Sequence, residues 1–155
     1  IVFLLAICVD LLISGVILNA YERRGTVNAI VASSFFFAIF EMKDEIKPME
    51  GEPVIVKNVN SAFIGTDLKE RLDKQGIEKL VIVGLTTNHC VSTSTRMAGN
   101  FGFEVLLISD ATATFDRIGI NGEKFSSEII HQTALANLNN DFAKVIDTKK
   151  LLELV

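Results

Sequence analysis

The chain has 155 residues, 49% of them hydrophobic, and a formal net charge of −4; its mean hydropathy is +0.39. That length supports one domain with a single sizeable core, and the negative charge gives no electrostatic reason to expect nucleic acid or an anionic membrane as a partner. Two cysteines, Cys8 and Cys90, do not make a disulfide framework, so both thiols are expected to be reduced and the protein cytoplasmic.

Residues 1–20, IVFLLAICVDLLISGVILNA, are long and apolar enough to cross a bilayer. Asp10 interrupts the run at a cost in lipid of about 2.5–3.5 kcal/mol, and the basic region that opens a signal peptide is missing. The better reading is a buried first strand, Ile1 to Val9, with Asp10 at its carboxyl end and a helix over Leu11 to Arg24. Thr26 to Ser33 reads as a second strand. The aromatic cluster Phe35, Phe36, Phe37 and Phe40 beyond it is pocket wall, core or oligomer contact, with Phe36 a candidate substrate contact. Glu41 to Met49 is a charged surface connection. Pro53 to Lys57 reads as a third strand whose last residue is a lysine. Asn58 to Phe63 follows, with Phe63 a second candidate substrate contact, then a helix from Asp67 to Gln75 stopped by Gly76.

Leu80 to Val83 is a β-branched run short enough for a strand buried on both faces. A turn leads to Cys90, and Val91 to Phe101 reads as a helix with Asn88 or Thr87 available as N-cap. Cys90 therefore stands where a strand ends and a helix begins. Unpaired backbone N–H groups and the positive end of the helix dipole gather there, which stabilises a thiolate and can hold an oxyanion. Glu104 to Ile108 gives another buried strand, ending at Ser109-Asp110-Ala111. Phe115 to Lys124 reads as a loop, Ser126 to Phe142 as an amphipathic helix, Lys144 to Asp147 as a last strand and Thr148 to Leu154 as a terminal helix. His131 falls within a helix and reads as structural, whereas His89 can reach substrate or tune the thiol. Alternating strands and helices imply a three-layer α/β/α fold around a Rossmann-like, mostly parallel sheet. Ligands in such sheets bind beyond the carboxyl ends of the strands, which is where Asp10, Lys57 and Cys90 all fall.

Gly84-Leu85-Thr86-Thr87-Asn88-His89-Cys90-Val91, then Arg96-Met97-Ala98, Gly102-Phe103 and Asp110-Ala111-Thr112-Ala113, together resemble the signature of the isochorismatase-like cysteine hydrolases. Val54-Ile55-Val56-Lys57, Asn60-Ser61-Ala62-Phe63 and Gly65-Thr66 are similar to a second run of that family. The resemblance implies a Cys–Asp–Lys triad of Cys90, Asp10 and Lys57, a cis peptide at Leu85–Thr86, and an oxyanion hole from the backbone N–H groups of Thr86 and Cys90. It implies hydrolysis of a C–N bond in a small amide, imide or ureido compound through a thioester, with no cofactor and as a homo-oligomer. The Asp-x-His metal motif of the nicotinamidase branch is missing at Ser33 to Phe37, so no metal is expected. The chain departs from the family pattern after Asp10, where Leu11-Leu12 replace a polar pair, and the segment from Asp10 to Lys57 is short. A single domain over residues 1–155 with a shortened or atypical N-terminal part is therefore expected. Three rivals remain: a catalytically silent binding or oligomerisation module, a vinyl ether hydrolase of the isochorismatase type, and a nucleotide-cofactor domain. The last is disfavoured because no G-x-G-x-x-G follows the first strand.

Overall fold

A computed structural model describes the backbone of residues 2–7, 27–34 and 53–154, and side chains within 53–154. Six parallel strands form one sheet in the order β3-β2-β1-β4-β5-β8: β1 (Val2–Ile7), β2 (Val27–Ser34), β3 (Val54–Lys57), β4 (Lys79–Leu85), β5 (Glu104–Ala113) and β8 (Lys144–Ile146). A separate antiparallel ribbon pairs β6 (Arg117–Ile118) with β7 (Lys124–Phe125). Among the described residues there are four α-helices, in chain order α1 (Leu68–Lys74), α2 (Ser92–Asn100), α3 (Ser127–Ala136) and α4 (Thr148–Leu154). The expected helix at 11–24 and connection at 41–49 lie outside the described residues.

Both faces of the sheet are covered, which is why β4 and β5 read as continuous apolar runs. Alternate residues of these strands point to opposite faces. Leu80 and Ile82 of β4, with Val105 and Leu107 of β5, share a core with Leu68 and Leu72 of α1, Ala98 of α2 and Leu135 of α3. Val81, Val83, Leu106 and Ile108 are buried on the other face, where α4 packs against β5 and buries Leu151. In α1, Leu68 and Leu72 fall four apart on one face, while the Lys69–Asp73 and Arg71–Asp67 pairs sit on the exposed side. Each exposed pair contributes about 0.3–0.5 kcal/mol, against about 1.5–3 kcal/mol for each buried leucine, so burial decides where α1 lies.

Three local expectations are corrected. Strand β5 runs on to Ala113 instead of ending at Ile108, because its polar residues are satisfied inside the fold. Ser109 Oγ donates to the Ile146 carbonyl at 3.2 Å and Thr112 Oγ1 to the Ser109 carbonyl at 3.2 Å. A register shift between Ile82 and Gly84 lets Gly84 pair with Thr112 and Leu85 with Ala113. The helix expected over 126–142 stops at Ala136, since asparagine side chains compete for the backbone there: Asn137 Nδ2 donates to the Thr133 carbonyl at 2.7 Å and Asn139 Oδ1 accepts from the Val145 amide at 3.1 Å. The loop expected over 115–124 contains the β6–β7 ribbon, tied down where Asp116 accepts from the Ser127 amide at 2.7 Å and pairs with Lys124.

Candidate active site

In the parallel sheet β3 and β4 are separated by β2 and β1 and end on the same edge, and their carboxyl ends carry Lys57 and the turn to Cys90. The Leu85–Thr86 peptide is cis. Thr86 is extended, and residues Thr87–Val91 then form one π-helical turn. The Thr86 carbonyl accepts from the amides of both His89 (3.0 Å) and Val91 (3.3 Å), the latter a five-residue closure. Thr87 and Val91 are fully buried. They anchor the turn from beneath and leave Asn88, His89 and Cys90 on its outer side.

Neither Asn88 nor Thr87 acts as the expected helix cap; both side chains are spent on tertiary bonds. Thr87 Oγ1 and His131 Nδ1 share a hydrogen bond of 2.9 Å, which fixes the turn to α3. Asn88 Oδ1 accepts from Thr114 Oγ1 at 2.6 Å, which fixes it to the segment after β5. His131 is thus a supporting residue, in line with its sequence reading.

Lys57 is 1% exposed. Its Nζ donates to the carbonyls of Val59 (2.9 Å) and Asn60 (3.3 Å), so the buried ammonium closes the loop that follows its own strand. Cys90 is half-buried and free, and its Sγ donates to Asn60 Oδ1 at 3.6 Å. Ser94, one turn after Cys90, accepts from the Ala62 amide at 3.0 Å and donates to the Asn60 carbonyl at 3.5 Å. The lysine loop and the cysteine helix are therefore stitched together directly. Asn60 entered the sequence reading only as part of the Asn60-Ser61-Ala62-Phe63 run, without a role, and Ser94 not at all; the signal available for Ser94 was a polar position four residues past Cys90, on the same helix face.

His89 is exposed, and Arg117 Nη2 donates toward its Nδ1 at 3.4 Å. Partial burial first, and the Arg117 charge second, hold the imidazole below its ordinary value of 6.5. Arg117 Nε is buried and has no hydrogen-bond partner among the described residues. Phe63 is corrected from a substrate contact to a core residue: it is 7% exposed and its ring meets Phe101 edge-on at 5.3 Å and stacks on Phe103 at 6.4 Å. Asp10 and Phe36 lie outside the described residues. Among the described residues no group of three or more His, Cys, Asp or Glu side chains is placed to hold a metal ion, and no helix is long and apolar enough to cross a membrane. A cleft of about 450 Å³ runs along the flank of α2 against α3, lined by Asn88, Ser92, Arg96 and Ile129 among others. Ile129, Ile130, Thr133 and Ala134 of α3 thus border open space, while Leu135 packs into the core.

The Isochorismatase domain family model matches residues 39–150. The chain is 49% identical over 113 residues to the isochorismatase family protein YrdC of Bacillus subtilis, covering 73% of this chain and 60% of that protein. It is 37% identical over 100 residues to Nicotinamidase 3 of Arabidopsis thaliana, covering 64% of this chain and 45% of that protein. The chain thus spans less than two thirds of the length of either relative. A crystal structure of an isochorismatase-family protein from Chromobacterium violaceum superposes with a TM-score of 0.86 at 30% identity, over 97% of this chain and 91% of that one. The three-layer α/β fold expected from the strand and helix alternation is the fold of these relatives, and the chain belongs to the isochorismatase family.

Proposed function

We propose that this chain is a cysteine hydrolase acting on the C–N bond of a small amide, imide or ureido compound, with Cys90 as nucleophile and Lys57 and Asp10 as its partners. The observation that carries the reading is the placement of Cys90. It is half-buried in a π-turn at the head of α2, in contact with the loop that a buried lysine holds shut. The nicotinamidase among its relatives supports amide chemistry over vinyl ether cleavage.

In this reaction Asp10 takes the thiol proton and the thiolate attacks the carbonyl carbon. The N–H groups of Thr86 and Cys90 hold the oxyanion, the type of contact whose removal costs about 10²–10³-fold in rate. Collapse breaks the C–N bond and the leaving amine takes the proton from Asp10. Water then hydrolyses the thioester, releasing the acid and restoring the thiol. His89, held toward its neutral form by burial and Arg117 and accepting from Arg117 at Nδ1, would donate a hydrogen bond to substrate from Nε2.

The test is a screen of small primary amides and ureido acids with mass spectrometry of the quenched enzyme. The expected result is a covalent adduct on Cys90 that accumulates with a turned-over substrate and is absent from Cys90→Ser. Turnover that survives Cys90→Ser would overturn the reading.

A further inference from the structure

We infer that Asn60 is the residue through which Lys57 acts on Cys90, an inference that rests on the nucleophile role proposed above. Lys57 and Cys90 are joined by one short chain of contacts. The Lys57 ammonium donates to the carbonyl of Asn60, and the carboxamide of the same residue meets Cys90 Sγ. Ser94 Oγ donates to the same carbonyl, and the Ala62 amide, two residues on, is bound by Ser94 as well. Residue 60 is therefore held at its backbone carbonyl by two donors while its side chain meets the sulfur.

The energetics favour such a relay. Lys57 is almost fully buried, and a buried ammonium is tolerated only when its protons are engaged. Among the described residues, carbonyls engage it, which commits the cation to shaping the loop. Asn60 itself is exposed and free of that constraint. A carboxamide carries an acceptor and a donor side by side. Oδ1 accepts the S–H of the resting thiol and fixes its rotamer. Once the proton has left, rotation about the terminal torsion presents Nδ2 to the thiolate, with no proton gained or lost by the amide. Asn60 contacts the reacting sulfur, and Lys57 positions it.

The experiment is a double-mutant cycle on the alkylation rate of Cys90 by iodoacetamide, with Cys8 replaced by serine in every variant. Asn60→Ala is expected to slow alkylation about tenfold, the size of a hydrogen bond to a charged group. Lys57→Met, which keeps the buried volume, is expected to slow it about as much alone and by less than twofold on top of Asn60→Ala. Asn60→Asp is expected to slow alkylation at pH 7 further than Asn60→Ala, with a deficit that closes as pH rises, since a carboxylate beside sulfur opposes the thiolate. In Asn60→Ala the midpoint of the alkylation–pH profile is expected to rise, because the thiolate loses its amide donor; a merely structural role would leave that midpoint unmoved. Fully additive losses, or Asn60→Ala alkylating at the parent rate, would overturn the inference. Circular dichroism distinguishes an unfolded Lys57→Met, and in that event the Asn60→Ala and Asn60→Asp rates decide alone. The adduct test with Cys90→Ser bears on the hydrolytic reading separately, because the cycle reads thiol chemistry whether or not any substrate turns over.

Discussion

His89 carries a shift whose direction can be checked. Burial and the Arg117 guanidinium both disfavour the imidazolium, so the folded state resists a proton that the unfolded chain takes up near 6.5. Stability linked to His89 is therefore complete above pH 6.5 and declines as pH falls through the window between 6.5 and the lower folded value. Replacing Arg117 with methionine removes the second cause and leaves the first. The His89 titration followed by NMR is expected to move upward without fully regaining 6.5; a titration that stays put would mean the Arg117 charge does not reach the ring. Little of this was legible beforehand. Lys57 stood out because it closes an apolar strand and Cys90 because it stands between a strand and a helix, whereas the contacts of Asn60 and Arg117 depend on loop paths that no periodicity encodes.

Helix α2 must lie very close to the segment after α3. A Cβ built on Gly99 would stand 2.7 Å from the Phe142 carbonyl oxygen, a backbone atom that cannot rotate away. Alanine gains about 1 kcal/mol of helix propensity over glycine, but overpacking of this kind costs about 1–3 kcal/mol. Gly99→Ala is expected to lose a net of about 1 kcal/mol, seen as a lower urea midpoint at unchanged slope. A raised midpoint would show that the segment yields. Nothing in the sequence around Gly99 reveals this contact, which lies 43 positions away and is set by how the Asn137 turn redirects the chain. The same turn explains why the helix expected to Phe142 was overlong. Its apolar periodicity continues past Ala136, but Asn137 and Asn139 divert the backbone into local hydrogen bonds. The strands of the main sheet and their order, by contrast, followed from the apolar runs themselves, because a sheet covered on both faces requires uninterrupted β-branched runs.

At the scale of the whole molecule, the core among the described residues is built on β4 and β5 and on what covers them. Leu107 is fully buried at the centre of β5, so Leu107→Ala is expected to cost about 2–5 kcal/mol in denaturant unfolding. Ile120, at 99% exposure in the turn of the β6–β7 ribbon, is expected to tolerate serine within about 0.5 kcal/mol. Equal losses at the two sites would mean that the ribbon is covered in solution. The burial of Lys57 also separates it chemically from every lysine on the surface. Its amine is enclosed in carbonyls, beyond the reach of an acylating reagent that readily labels Lys69, Lys124 or Lys150. In a limited succinimidyl ester reaction read by peptide mass mapping, Lys57 should stay unlabelled in the native protein and react only once the fold opens. The same side chain that orders the loop beside Cys90 would thus serve as an internal gauge of whether that loop is intact.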